Sequence, residues 1–387
     1  MELLSALWIL VQVLIGYNLV LPLLLLLLYL VRGRKQPGPA RAEQADYAII
    51  VTAYEQTDLL PQVVGSLLKL HYERYLIYIV ADKCDISHLH FDDSRVHLLR
   101  PETVLASNTR SHFYAIRHFA RPHERLTIID SDNLVDPEYL NELNRYFDQG
   151  FEAVQGIREA KNLNSTFACL DAARDIYYHF YDGKVLYGLG SSATLAGSGM
   201  AFTAALYREC LEHLDVTGAG FDKVLQHAIV KRGKRIAFTD KAIVYDEKTA
   251  KSDQLVKQRA RWINTWFKYF FFGFDLLLTG VRRFSWNQTV FGLVLLRPPL
   301  FIFLLLSVLM MAVDLIWLPS QGLIWLAALF LFAAGFLLAL LASPTDPRIY
   351  RSLINIPRFI GFQLMALVKA KKANTISVAT RHGSEKS

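Results

Sequence analysis

The sequence predicts an α/β domain on a mostly parallel sheet, held between segments that cross a membrane. Three observations predict it. Strand-like and helix-like segments alternate over residues 47–156, the pattern of βαβ units. The uncharged run at 5–31 and the runs at 300–318 and 323–341 approach or exceed the roughly 20 apolar residues of a bilayer span. Polar, mostly acidic residues stand directly after successive strands, where open α/β sheets bind their ligands.

The run at 5–31 is followed, not preceded, by basic residues (Arg32, Arg34, Lys35 and Arg41). A cleavable signal has a basic start and a shorter apolar region of roughly 7–15 residues, so a retained transmembrane helix fits better. A polar linker with Pro37, Gly38 and Pro39 leads out of the membrane. Residues 47–53 then read as a buried strand, 59–70 as a helix, 75–81 and 95–99 as strands, and 107–120 as a helix. A fourth strand spans 126–130. A helix at 137–147 has Asp136 as its cap and Pro137 at its first position, and 152–156 follows as a strand. The aromatic segment 263–278, with Trp266 and Lys268, and the mixed basic and apolar segment 349–373 read as interfacial helices. Pro319-Ser320-Gln321-Gly322 reads as the turn between the last two spans, and Asp314 lies near the end of the first of them.

Hydrophobic residues make up 53% of the 387-residue chain and the mean hydropathy is +0.24, an excess concentrated at the two ends. Basic residues follow the first span, precede the second (Arg282, Arg283 and Arg297) and follow the third (Arg348, Arg351 and Arg358). The positive-inside rule then places the middle domain and the C-terminal tail in the cytosol. The net charge of +7 accordingly reads as juxtamembrane anchoring to anionic lipid. No zinc spacing or aromatic-interleaved basic stripe supports nucleic-acid binding. Cys84, Cys169 and Cys210 share no ligand spacing and read as reduced cytosolic thiols.

Tyr54 and Glu55 follow the first strand, Asp82, Lys83 and Asp85 the second, and Asp130, Ser131, Asp132 and Asn133 the fourth. Carboxylates crowded on one sheet edge repel, so a cation belongs to such a design. Alternation puts Asp130 and Asp132 on one face, where they could share Mg²⁺ or Mn²⁺, hard ions that keep sites for diphosphate oxygens. A surface turn is the competing reading of an isolated D-x-D. For Arg259, Arg261 and Trp262 the competing reading is membrane anchoring.

The order of Tyr47 to Glu55, Ile79 to Asp82 and Asp130 to Asn133, followed by Gln258-Arg259-Ala260-Arg261-Trp262, resembles family 2 glycosyltransferases. The last segment matches the Q-x-x-R-W signature of their membrane-bound branch, which includes cellulose, hyaluronan and poly-N-acetylglucosamine synthases and ceramide glucosyltransferase. The resemblance implies a GT-A (Rossmann-like) catalytic domain that takes a sugar from a nucleoside-diphosphate sugar. Tyr54, Glu55 and Asp82 would border the base and ribose, and Asp130 and Asp132 would hold metal and diphosphate. Gln258, Arg261 and Trp262 would stand at the membrane interface over donor and acceptor. In the family position of the catalytic base stands Asp222, with Asp215 as the alternative; Phe221 occupies the place where the family often has another acid. The stretch Ala196 to Phe202 resembles the family's glycine-containing segment beside the acceptor. The family's lysine after the third strand is missing here, and Arg110 is the nearest substitute. Thr380-Arg381-His382 faintly resembles a C-terminal synthase segment.

The expected organisation is a transmembrane helix (1–32), a linker (33–46), the cytosolic GT-A domain (47–262), interfacial helices (263–297), two transmembrane helices (298–342) and a cytosolic interfacial helix with tail (343–387). The resemblance implies an integral protein of a bacterial inner membrane, with a growing polysaccharide or a lipid as acceptor. Three spans are few for one subunit to enclose a polymer channel, so a homo-oligomer or partner subunit enters the polymer reading. A noncatalytic scaffold and a membrane nucleotidyltransferase are the alternatives from other classes.

Overall fold

The computed structural model describes residues 2–32, 38, 44–249 and 252–371; most of the 33–46 linker and the tail with Thr380-Arg381-His382 lie outside them. Helix α1 (Glu2–Arg32) is followed by β1 (Tyr47–Tyr54), α2 (Leu60–Leu67), β2 (Tyr75–Asp82), β3 (Val96–Leu99), α3 (Asn108–Arg117) and β4 (Arg125–Asp130). These strands pair in parallel in the order β3-β2-β1-β4. Period-two alternation sorts their side chains to the two faces. Tyr47, Ile49, Val51 and Ile77 pack under α2 and α4 (Tyr139–Phe147), while Ala48, Ile50, Tyr78 and Ile128 pack against α3, α7 (Ala204–Leu211) and α8 (Phe221–Lys231).

Past β4 the sheet is mixed rather than mostly parallel. Strand β7 (Met200–Thr203) runs antiparallel between β4 and β6 (Ala153–Ala160). Strand β8 (Ile236–Asp246) lies parallel to β6, and β5 (Leu134–Val135) closes the edge antiparallel to β8. The cause is the excursion after β6: α5 (Thr166–Tyr178), a π-helical stretch His179–Val185 and α6 (Leu186–Gly188). Instead of crossing over the sheet, this excursion packs on the long apolar helices at the two ends of the chain, and the chain re-enters at the sheet end it left. Helix α4 starts at Tyr139, two residues later than expected. Asp136 holds the preceding turn, its carboxylate accepting the Glu138 N–H at 2.9 Å and its carbonyl the Tyr139 N–H at 3.0 Å.

The C-terminal part is helical: α9 (Ser252–Tyr269), α10 (Phe271–Arg282), α11 (Trp286–Leu295), α12 (Leu300–Trp317), α13 (Pro319–Leu341), α14 (Pro347–Ser352) and α15 (Ile356–Ala370). The expected turn at Pro319–Gly322 is instead the first turn of α13, because Pro319 fits the first helical position and Leu318 alone makes the link. Among the described residues four helices are long and apolar enough to cross a membrane. Three are the expected ones; the fourth, Pro347–Ala370, coincides with the segment read as interfacial. Tyr177, Phe180 and Tyr181 of the excursion pack with Leu26 and Tyr29 of α1 and Phe332 of α13, and the Tyr181 hydroxyl donates to the Gly335 carbonyl at 2.8 Å. This contact joins the sheet domain to the apolar helices.

Asp314 is buried among α1, α12 and α13, where its carboxylate accepts from Trp8 Nε1 (3.1 Å), Gln12 Nε2 (3.3 Å) and Trp325 Nε1 (3.0 Å). Asp314→Leu leaves these donors in apolar surroundings. A loss of about 1–2 kcal/mol in detergent-solubilised protein is expected, read as a lower thermal midpoint. An unchanged midpoint would show that the cluster does not clamp the three helices.

Candidate active site

Strands β1 and β4 run in register, with Thr52 opposite Asp130 at the end of β4. The loop before β7 fixes this strand end. Ser198 is fully buried, and its hydroxyl accepts the Asp130 backbone N–H at 3.1 Å. The Asn133 amide, in the orientation that satisfies both of its ends, donates to Asp132 at 2.7 Å and Asp246 at 3.3 Å while its oxygen accepts from Ser198. Asp130 is raised to about 7 by burial first and then by Asp132, with Arg158 offsetting only part and Asp246 and Asp222 adding to it.

These carboxylates face a cavity of about 940 Å³. Its wall brings together Tyr54, Asp130, Asp132, Asp222, Gln258, Arg261 and Trp262, seven of the nine residues singled out from sequence. Glu55 and Asp82 are not in that wall. Glu55 is exposed, has a φ of 60° and pairs with Lys83 at 2.7 Å. Asp82 is buried and accepts the backbone N–H groups of Leu105 (3.0 Å) and Ala106 (2.7 Å), so it shapes the loop leading to Asn108, which does line the cavity.

Asp222 lies in the first turn of α8, with Lys223 Nζ 3.5 Å from its carboxylate. Gly220 caps this helix at a φ of 103°, and a Cβ there would stand 2.5 Å from Thr265 and 2.7 Å from Tyr269. Only glycine lets α9 come this close to Asp222. Asp215, the alternative base, is exposed and engaged with Arg110 at 2.6 Å, and neither residue is in the cavity wall. Phe221 is buried against His112, with ring centroids 5.0 Å apart, and burial drives the imidazole down to about 3 and keeps it neutral. An acid at 221 would face this apolar, uncharged packing.

On α9 the motif divides its work. Gln258 accepts from the Thr249 hydroxyl at 3.3 Å, and burial lowers the pKa of Arg261. Arg259 is 2% exposed and forms a buried ion pair with Asp171 of α5. The Trp262 ring meets two guanidiniums, Arg259 at 4.3 Å and Arg174 at 4.4 Å. The ring is thus fixed edge of the cavity wall, not a loose interfacial anchor.

Sequence reasoning missed the ion network beneath this helix. Arg158 of β6 pairs with Asp246 at 2.5 Å, and Lys248 bridges Asp246 (2.7 Å) and Asp175 (2.5 Å). Arg174 joins Asp175 at 2.5 Å and Asp171 at 3.4 Å. Burial would raise Asp246, but Arg158 and Lys248 hold it down to about 2. The signal was partly available: Asp246 is one more acid at a strand end, and Arg158 stands just beyond the strand expected at 152–156.

The residues present fit a divalent ion. Among the described residues no group of three or more His, Cys, Asp or Glu side chains forms a metal cage. Asp130 and Asp132 are two acids whose crowding and burial a cation relieves, and open coordination positions suit an ion that shares a ligand's oxygens.

A Rossmann-like mixed sheet with acidic strand ends, roofed by α9, defines a GT-A transferase domain. The chain belongs to the family described as Glycosyltransferase like family 2, whose model matches residues 44–265, more than half its length; it is a glycosyltransferase. No curated protein matches it. Among solved structures, the mannosyltransferase PcManGT from Pyrobaculum calidifontis, in complex with GDP-Man and Mn²⁺, aligns over 92% of this chain and 98% of its own, with 16% identity and a TM-score of 0.53. S. aureus TarS 1–349, in complex with UDP-GlcNAc, aligns over 85% and 90% of the two chains, with 14% identity and a TM-score of 0.40. The likeness to the mannosyltransferase is one of fold.

Proposed function

We propose that the protein is an inverting, metal-dependent transferase, moving a sugar from a nucleoside-diphosphate sugar (UDP-linked by the family resemblance) to a polysaccharide or lipid acceptor at the cytosolic face of the membrane. One observation carries this reading: Asp130, Asp132, Asp222 and the Gln258–Trp262 helix face the same cavity. Tyr54 would flank the nucleotide, and Asp82 would hold the 105–106 loop beside it. Asp130 and Asp132 would hold Mg²⁺ or Mn²⁺, which when bound supplies Lewis-acid stabilisation of the diphosphate leaving group. Arg261 gives that diphosphate a permanent positive partner, and Gln258 and Trp262 bound the sugar side. Asp222 takes the acceptor hydroxyl's proton as that oxygen attacks the anomeric carbon from the face opposite the leaving group.

The membrane arrangement follows the basic residues, with α1, α12 and α13 crossing and the sheet domain in the cytosol. Helix α15 would lie at the interface, because it packs along α9, where Asn264 donates to the Ala370 carbonyl at 2.9 Å and charged motif residues share the helix. The noncatalytic alternative rests on Phe221, which the fold uses as core.

A panel of UDP- and GDP-sugars with Mn²⁺, read by thermal shift, tests the proposal. The true donor at 100 times its Kd adds about 2.7 kcal/mol of stability. Asp132→Asn is expected to lose most of that stabilisation. A panel in which no donor stabilises the protein, coupled with absent sugar-nucleotide turnover, would remove this reading.

A further inference from the structure

The start of α3 touches both sides of the site. Asn108 lines the cavity with Tyr54 and Gln56, and the loop before it is held by Asp82, whose carboxylate accepts the Leu105 and Ala106 N–H groups. The side chains on either side of Asn108 go elsewhere. The hydroxyls of Ser107 and Thr109 both bond to the backbone carbonyl of Val216, at 2.7 and 3.1 Å, and lie 3.0 Å from each other. Ser107 is 4% exposed, Thr109 1% and Val216 7%, and a buried carbonyl stripped of its donors keeps its full desolvation penalty.

Val216 belongs to residues 212–220, which join α7 to α8 and so lead the chain to Asp222. This segment has no helix or strand of its own, and within it Gly218 and Gly220 take φ values of 74° and 103°. Such a segment has to be fixed from outside. Lys268 of α9 reaches the Thr217 carbonyl at 3.3 Å, and the Val216 side chain packs in the core under the sheet. The Arg110–Asp215 pair lies alongside, but its side chains are about half exposed, and ion pairs of that kind contribute little. The two buried hydroxyls are the firm link between the donor-side loop and the segment that carries the base.

We infer that Ser107 and Thr109 are positioning residues for Asp222. Through the Val216 carbonyl they fix the segment before α8 to the loop at 105–108, so that seating the nucleotide against Asn108 also seats the base. The inference rests on the transferase reading and adds to it two residues outside the cavity wall, whose effect passes through Val216 and the start of α8.

Full-length protein, purified and in membranes, tests this with Mn²⁺ and whichever UDP- or GDP-sugar stabilises the wild type. Ser107→Ala/Thr109→Val removes both hydroxyls. Incorporation of radiolabelled sugar into the acceptor present in those membranes should fall roughly tenfold at saturating donor, because small misplacements of a reacting group are costly. The donor KM should stay within about threefold, since no proposed donor ligand is touched. Thr109→Ser keeps the hydroxyl and should stay close to the wild type. Hydrogen–deuterium exchange gives a readout that lost stability alone does not move. Donor should slow exchange of the amides at 213–217, none of which lines the cavity, in the wild type but not in the double variant, while protection at 128–132 persists in both. If the double variant shows no donor-induced thermal stabilisation, Thr109→Val, which keeps the Ser107 cap of α3, replaces it, with a smaller loss in the same direction. Undiminished incorporation by the folded variant, a raised donor KM as its sole effect, or protection at 213–217 that is absent from the wild type or retained in the variant would each overturn the inference while leaving sugar transfer intact. Absence of donor stabilisation, hydrolysis and transfer alike in the wild type would instead bring down the transferase reading and this one with it.

Discussion

Asp222→Asn is expected to lower transfer by roughly 10²–10⁴-fold, the range that a positioned general base contributes. The amide keeps the size and hydrogen-bonding reach of the side chain but cannot accept the acceptor's proton. Donor-induced stabilisation should survive, because the proposed donor ligands Asp130, Asp132 and Arg261 are untouched, and the loss should fall on kcat. Asp215→Asn is the control, since that carboxylate is exposed and tied to Arg110 outside the cavity wall. If Asp222→Asn turns over like the wild type, or Asp215→Asn shows the large loss, the base has been assigned to the wrong residue.

The largest stability effect is expected at Asp246. This carboxylate is the shared partner of Lys248, which is buried, and of Arg158, whose side chain is 15% exposed. Asp246→Ala leaves two cations with diminished compensation, and removing one partner of a buried pair costs roughly 3–5 kcal/mol. Against a total of about 5–15 kcal/mol, that is enough to reduce folded yield sharply. Asp246→Asn retains an acceptor oxygen and should lose less. The sign with pH follows from the depressed carboxyl: its folded value near 2 lies below the unfolded value of about 3.9. Its contribution is therefore present above the unfolded value and disappears as pH falls through the folded one. Denaturant unfolding in detergent measures both effects. Equal midpoints for the wild type and the alanine variant would mean that water or another carboxylate compensates the cations.

Much of the fold was legible because its signals are local. The strands from Tyr47 to Asp130 announce themselves by β-branched and aromatic runs, and the strand-end rule points to Asp130 and Asp132 at the sheet edge that the cavity occupies. The same rule was too generous with Glu55 and Asp82. Strand-end position says which edge a side chain occupies, not whether it points into the cavity or back at a neighbouring loop. Asp82 turns back to Leu105 and Ala106 because those amides need an acceptor there. The mixed order of β6, β7 and β8 was not legible either, since it depends on where the 166–188 excursion packs.

The chain's own residues thus determined the α/β domain, the apolar segments and the acidic strand ends, all of which follow from periodicity, length and composition within short windows. Tertiary structure alone decided which charges meet. Arg259 and Asp171 are 88 positions apart, and Arg158 and Asp246 likewise, and no local pattern links them. Only the docking of α9 over α5, framed by Trp262, and its close approach to the start of α8, allowed by Gly220, turn a basic aromatic segment into the roof of a site. The apolar part of the cavity wall, with Phe301, Phe332 and Phe359, exists for the same reason: it lines a space between helices, and a space has no sequence of its own.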